Sequence, residues 1–246
     1  MILATLRTII GRRGSFYGSL GTALASVILT IVIVYIVHTR DTVEYASAGG
    51  KPLLDAVTAV LVLLGVVIAI VLGALAGSYD VSQGTMRYLL LAGPSRWSIY
   101  LSRTVAVLIA SWLVLLPALV VGLVACVVLP TASQDEMTAA NVGSSVWNVL
   151  LLAGTYALIS MGIGSLLRSN GAAIAIALVI NIGITPAIGL LSAWSETLGD
   201  LSLPQVLSEL GGTDTSLPIA AAIVAFAAWL ALFLGAGWLR VSRDEY

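Results

Sequence analysis

Apolar residues fall in long blocks along this chain, separated by short polar clusters. Blocks of about 18 or more apolar residues are long enough to cross a bilayer as helices. The pattern predicts six spans, at 16–37, 55–77, 105–129, 146–167, 172–191 and 217–239. A helix of about 21 residues is about 32 Å long, enough for the hydrocarbon layer. The fourth and fifth blocks are diluted by glycine and polar residues and joined only by Arg168-Ser169-Asn170-Gly171. Ahead of the first span, Ile2, Leu3, Leu6, Ile9 and Ile10 share one helical face and are followed by Arg12 and Arg13. That reads as an amphipathic helix in the membrane interface, its arginines reaching towards headgroups. Gly11 and Gly14 would allow the turn into the bilayer. The alternative is a frayed start to the first span. The expected fold class is an all-α integral membrane protein, a single transmembrane domain over residues 1–246.

Two polar stretches carry structure of their own. Between the second and third spans runs Ser78-Tyr79-Asp80-Val81-Ser82-Gln83-Gly84-Thr85-Met86-Arg87-Tyr88-Leu89-Leu90-Leu91-Ala92-Gly93-Pro94-Ser95-Arg96. Met86, Leu89 and Leu90 recur at helical offsets, which predicts a short surface helix from Thr85 to Ala92 with one apolar face. Gly93-Pro94 stops it, because proline restricts the residue before it and lacks a donor. Ser95 is placed to cap the next helix, which runs through Trp97 and Ile99 into the third span. A membrane protein with no energy source of its own needs a place to receive force, and this stretch is the candidate. In the segment 192–216, Ser202 and Pro204 signal a helix start. Leu203, Val206, Leu207 and Leu210 then repeat at helical spacing before Gly211-Gly212. This predicts a short outer helix packed on protein. Trp147, Trp194 and Trp238 lie near span ends, as belt residues do.

Charge orients the chain. Arg7, Arg12, Arg13, Arg87, Arg96, Arg103, Arg168, Arg240 and Arg243 fall on one side of a six-span chain, and only Arg40 and Lys51 on the other, nine against two. Both termini, the 78–104 segment and the 168–171 turn are therefore expected to face the cytoplasm. Asp135, Glu136, Glu196, Asp200, Glu209 and Asp214 lean to the outer side. The chain is 59% hydrophobic and 9% charged, and its net charge of −1 is spread without a basic patch, so nothing points to nucleic acid. The one cysteine, Cys126, lies inside a span, which excludes an internal disulfide and reads as small apolar filling. The first apolar run has the length of a full span and no convincing cleavage site, so no cleavable signal is expected.

The spans carry little reactive chemistry. No span interior holds Asp, Glu, Lys, Arg or His, the groups that mark coupling sites in ion-driven carriers. The only lysine, Lys51, stands in Gly50-Lys51-Pro52, which is no phosphate-binding loop. The only histidine, His38, ends the first span, and no Cys/His/carboxylate cluster supports a metal. Gly162-Ile163-Gly164-Ser165 faintly resembles a nucleophile turn but has no histidine to act as base. Gly73 and Gly77 have the spacing for close helix approach. Asn181, one turn before Thr185-Pro186, reads either as a hydrogen-bond tie between helices or, with Thr185, as a candidate substrate path. Pro117 and Pro186 are expected to kink their helices.

The stretch after the second span resembles the corresponding segment of type-2 ATP-binding-cassette (ABC) transporter permeases. That pattern runs acid, three residues, Gly-Thr, then Leu-Leu, a Pro, Ser-Arg, and a basic residue seven positions after that Arg. Here stand Asp80, Gly84-Thr85, Leu89-Leu90, Pro94, Ser95-Arg96 and Arg103. Asp80 replaces the family's usual Glu and Arg103 its usual Lys, each keeping the charge. The likeness covers nearly the whole chain: amphipathic start, six spans, cytoplasmic termini and an outer helical segment before the last span.

The resemblance implies the permease subunit of an exporter in the plasma (inner) membrane of a prokaryote. Two permease copies pair, as a homodimer or with a related half. Each docks a cytosolic ABC ATPase through the coupling helix. ATP and Mg would sit on that ATPase, while this chain would bind no cofactor or metal and would not itself be an enzyme. The coupling set would be Asp80, Gly84, Thr85, Arg87, Leu89, Leu90, Pro94, Ser95, Arg96 and Arg103. Arg87 is the expected direct contact, Arg96 a cap or tether for the following helix, and Gly84 a turn or a close backbone approach. Two other readings compete: an ion-gradient carrier, against which the uncharged spans argue, and a membrane anchor or signalling subunit that transports nothing. The apolar spans point to a hydrophobic or amphipathic substrate.

Overall fold

The computed structural model describes residues 2–40, 47–85, 91, 93–130, 137–167, 169–184, 187, 200–212 and 218–243. Among them the regular structure is helical throughout. In order come α1 (Ile2–Gly11), α2 (Arg13–Arg40), α3 (Gly50–Ser82), α4 (Arg96–Val128), α5 (Ala139–Leu166) and α6 (Asn170–Leu178). A π-helical turn at Val179–Ile184 continues α6, and α7 (Leu203–Leu210) and α8 (Ile219–Arg243) follow. Five of these, α2, α3, α4, α5 and α8, are long and apolar enough to cross a bilayer. Their outer faces call for one. Ile28, Leu29, Val32 and Ile33 on α2, Val124, Val127 and Val128 on α4, and Ile223 and Val224 on α8 are all exposed. Against water such area costs about 25 cal/mol per Å². Against lipid tails it costs nothing comparable.

α3 is the axis of the bundle. Leu53, Leu54, Val57, Leu61, Gly65, Ile68, Leu72, Gly73, Ala76 and Gly77 recur at three- and four-residue steps and are buried. It packs on α2, α4, α5 and α6. The closest crossing is with α5, where glycines on both helices let the backbones meet. A methyl at Gly77 would lie 2.6 Å from Ser165 N, and one at Gly164 3.0 Å from Ala74 Cα. The close approach expected of Gly73 and Gly77 is thus present, each facing the α5 backbone. α8 crosses the same α5 segment from another side, where a methyl at Gly237 would lie 2.7 Å from Gly162 O. Gly162 and Gly164 therefore serve helix packing, and the hydroxyl of Ser165 donates to Met161 O at 2.9 Å.

Several helices run past the predicted spans because caps, not the edge of the hydrocarbon, set their ends. Ser95 Oγ accepts from Ser98 N at 3.2 Å and Thr138 Oγ1 from Asn141 N at 3.3 Å. α4 consequently starts nine residues before 105, and it continues through Pro117. The predicted fifth span is described only as α6 and its π turn, with residue 187 beyond; Thr185, Pro186 and 188–191 lie outside the described residues. At the start of the chain the turn falls at Arg12, whose backbone breaks the helix between α1 and α2. Neither Gly11 nor Gly14 takes a positive φ. Ile9 is buried while Leu6 and Ile10 pack on the core, so α1 lies against α4 and leaves Ile2 and Leu3 exposed.

The helix predicted within 192–216 is α7, with Pro204 in its first turn and Leu203, Val206 and Leu207 buried. Two tryptophans hold its ends. Trp147 Nε1 donates to Leu210 O at 2.7 Å and Trp229 Nε1 to Leu201 O at 3.1 Å. Of the expected belt residues, Trp147 thus spends its donor on protein. Trp238 packs edge-on against Trp97, with ring centroids 4.8 Å apart, and Trp194 lies outside the described residues.

Candidate functional site

The end of α3 and the start of α4 bring together those residues singled out between the second and third spans that the structure describes. α3 finishes in a Schellman motif. Gly84 N donates to Val81 O at 3.2 Å and Thr85 N to Asp80 O at 3.0 Å, with Gly84 at a φ of +68°. A methyl on Gly84 would meet nothing within 4 Å. Of the two roles considered for Gly84, the turn is the one present within the chain. Thr85 also donates from Oγ1 to Asp80 Oδ1 at 3.2 Å. The other carboxylate oxygen of Asp80 is paired with Arg103 of α4. Acid and base, 23 positions apart, close the base of the loop between the two helices.

The far side of the loop is anchored as firmly. Gly93 has a φ of +99°, after which Pro94 and the cap Ser95 set the direction of α4. Arg96 Nη1 donates to Val241 O at 3.1 Å and to Ser242 O at 2.9 Å, the unsatisfied carbonyls at the end of α8. Arg96 is a tether, but the helix it holds is the last one and not, as expected, the following one, which Ser95 caps. Tyr100 adds a bond from its hydroxyl to Leu234 O at 2.8 Å, and Trp238 lies against both Trp97 and Tyr100. Thr85 and Leu91 are described at the edges of the predicted surface helix, in a turn and in helix respectively. Arg87, Leu89 and Leu90 lie outside the described residues, with Met86 and Tyr88.

Three further contacts at this end are not legible in the motif. Ser78 and Ser82, one turn apart on α3, both donate to Asn170 Oδ1 at 2.9 Å, fastening the start of α6. The four-residue spacing of those serines at the end of an apolar helix was the available signal. Arg12 turns inward rather than outward: its guanidinium lies 3.5 Å over the ring of Tyr79. Burial pushes the Arg12 pKa below its ordinary value, and nearby Asp80 opposes that shift. Arg12, Asp80 and Arg103 line a cleft of about 270 Å³ with Thr5, Thr8 and Ser102.

Deeper in the bundle, Asn181 is 2% exposed. Its Nδ2 donates to Ala177 O at 2.7 Å and to Ser160 Oγ at 3.2 Å, tying the π turn to α5. Thr185, its companion on the candidate path, lies outside the described residues. An apolar groove of about 830 Å³ runs along α8 beside Leu201, lined among others by Val224, Trp229 and Leu232. No group of three or more His, Cys, Asp or Glu side chains converges among the described residues.

Helices of this length and apolarity, packed through glycines and faced with exposed aliphatic side chains, define a multi-pass α-helical membrane protein. Residues 22–246 match the model of a family described as a protein of unknown function, DUF2705. The chain belongs to that family. No curated protein matches it.

Proposed function

We propose that this chain is the permease subunit of an ABC exporter, driven by a separate cytosolic ATPase docked on the segment between α3 and α4. The observation that carries the proposal is the bracing of that segment. Asp80 and Arg103 close its base, Gly84 and Thr85 shape its entry, and Arg96 ties its exit to the end of α8. A load on the loop would reach three long helices together rather than dissipate in a flexible connector. Such coupling needs contacts that differ between two states, and a braced loop can supply them.

In this reading α6 continues past its π turn as a sixth span, and both termini and the loop face the cytoplasm of a prokaryotic inner membrane. A second permease copy completes the path, and ATP and Mg belong to the ATPase. The chain itself binds no cofactor and catalyses no reaction. The apolar groove along α8 fits a hydrophobic or amphipathic substrate better than a sugar or ion. Arg87 is the residue proposed to meet the ATPase. Losing an interface charge that faces a desolvated partner costs about 2–5 kcal/mol. The test is co-purification of a cytosolic ATPase with the tagged chain, wild type against Arg87→Glu, with Arg243→Glu as control. Loss of the ATPase from Arg87→Glu alone is expected. Equal recovery in all three would make the loop a plain connector, and recovery without ATP-dependent transport in vesicles would favour an anchoring or signalling subunit.

A further inference from the structure

The cleft between α1, the end of α3 and the start of α4 holds more positive than negative charge. Arg12 and Arg103 line it against one carboxylate, Asp80. That carboxylate is already engaged by Arg103 and by the hydroxyl of Thr85. Arg12 stacks its face on Tyr79, and its Nε is buried without an acceptor among the described residues. Arginine stays protonated, and a buried charged donor lacking an acceptor is costly. Hydroxyls complete the wall with their protons already placed, Thr8 donating to Ala4 O at 3.0 Å and Ser102 to Ile99 O at 2.9 Å, while Thr5 and Ser102 lie 3.3 Å apart across the helix junction. A guanidinium edge lacking an acceptor, in a polar cleft with one net positive charge, matches a singly charged phosphate ester.

The cleft's height along the bundle fits as well. From Ala56 to Gly77 α3 has 22 uncharged residues, about 33 Å of helix, which accounts for the hydrocarbon. Asp80 comes within one turn after that stretch, at headgroup depth. Ile2 and Leu3, exposed on the adjoining α1, would meet the acyl region beside it.

We propose that this cleft binds a phosphate group, presented by a phospholipid headgroup or as free phosphate, with the edge of Arg12 as its main donor. The test uses the full-length chain in neutral detergent. Phosphatidylglycerol, phosphatidylcholine and inorganic phosphate are titrated separately, with bound ligand read by native mass spectrometry and thermal unfolding. Binding to wild type is expected, with affinity at least about ten-fold weaker in Arg12→Gln, the loss of one charge-assisted hydrogen bond. Retention of either phospholipid against millimolar inorganic phosphate assigns the site to the headgroup; displacement by it assigns the site to free phosphate. Absence of binding by all three to folded wild type, or undiminished binding by Arg12→Gln, overturns the proposal. If Arg12→Gln does not fold, Arg12→Lys, which keeps the charge but removes the planar donor edge, replaces it, and unchanged affinity overturns the proposal equally. None of these measurements involves an ATPase, so the result stands apart from the coupling proposal.

Discussion

At Gly84 the backbone needs a left-handed conformation, and there is room for a side chain that the backbone itself disfavours. A β-branched residue there costs about 1–2 kcal/mol or more, whereas asparagine visits this region readily. Gly84→Val is therefore expected to lower thermal stability in detergent, and Gly84→Asn to stay close to wild type. If both behave alike, the Schellman turn is not what the glycine is for. The same loop contains the pair Asp80–Arg103. Arg103 is 4% exposed, so removing the Asp80 charge takes a counterion from a buried guanidinium. Asp80 is less deeply buried, which puts Asp80→Asn at about 3 kcal/mol, the low end for breaking such a pair. Measured as a double-mutant cycle by denaturant unfolding, Asp80→Asn and Arg103→Met should cost less together than the sum of the two alone. Strict additivity would mean the pair contributes nothing. Both charges were visible in the sequence, but only folding shows that they meet.

Among the helices, the crossing of α3 and α5 is the most demanding. Gly77→Val would drive methyls into the backbone around Ser165 and is expected to cost about 3 kcal/mol, since the atoms it meets are backbone and not flexible side chains. Gly143, near the start of α5, meets nothing within 4 Å, so Gly143→Ala should stabilise by about 0.5–1 kcal/mol through helix propensity. Comparing unfolding midpoints of the two variants tests whether contact or propensity governs these glycines. The spacing of Gly73 and Gly77 announced a close contact; that the partner surface is Ala157 to Ser165 could not be read from it. The π turn after Leu178 was equally hidden. Within it, Asn181 turns its side-chain amide back to Ala177 O.

For the whole molecule, five long apolar helices place the chain in a membrane, while its orientation rests on arginine distribution alone. Single cysteines in a Cys126→Ala background provide the check. With both termini inside, a cysteine at Ser95 should be protected from an impermeant thiol reagent in intact cells, and cysteines at Ser133 and Thr213 should react. Labelling at 95 from outside would reverse the arrangement. Cys126 is buried, and because Cys126→Ala removes only one heavy atom the cavity it leaves is small and the cost modest. The tethers at Arg96 and Tyr100 make α4 and α8 one mechanical unit at this end. No local pattern foretold that, because the bonds join residues more than 130 positions apart.

By itself the sequence determined the membrane class, most of the helices, and the short helix at Leu203–Leu210 with its apolar face. Each of these follows from local periodicity and from the length of a bilayer-crossing helix, which need no knowledge of neighbours. It also marked Ser95 as a cap and Gly84 as a special backbone position. The tertiary structure decided what polar groups do once water is excluded. Arg12 folds inward onto Tyr79, Arg96 reaches the carbonyls of α8, Ser78 and Ser82 share Asn170, and Asp80 chooses Arg103. Where water no longer satisfies a donor, its partner is whichever acceptor the packing of the helices brings within reach, and that is a property of the bundle rather than of any one segment.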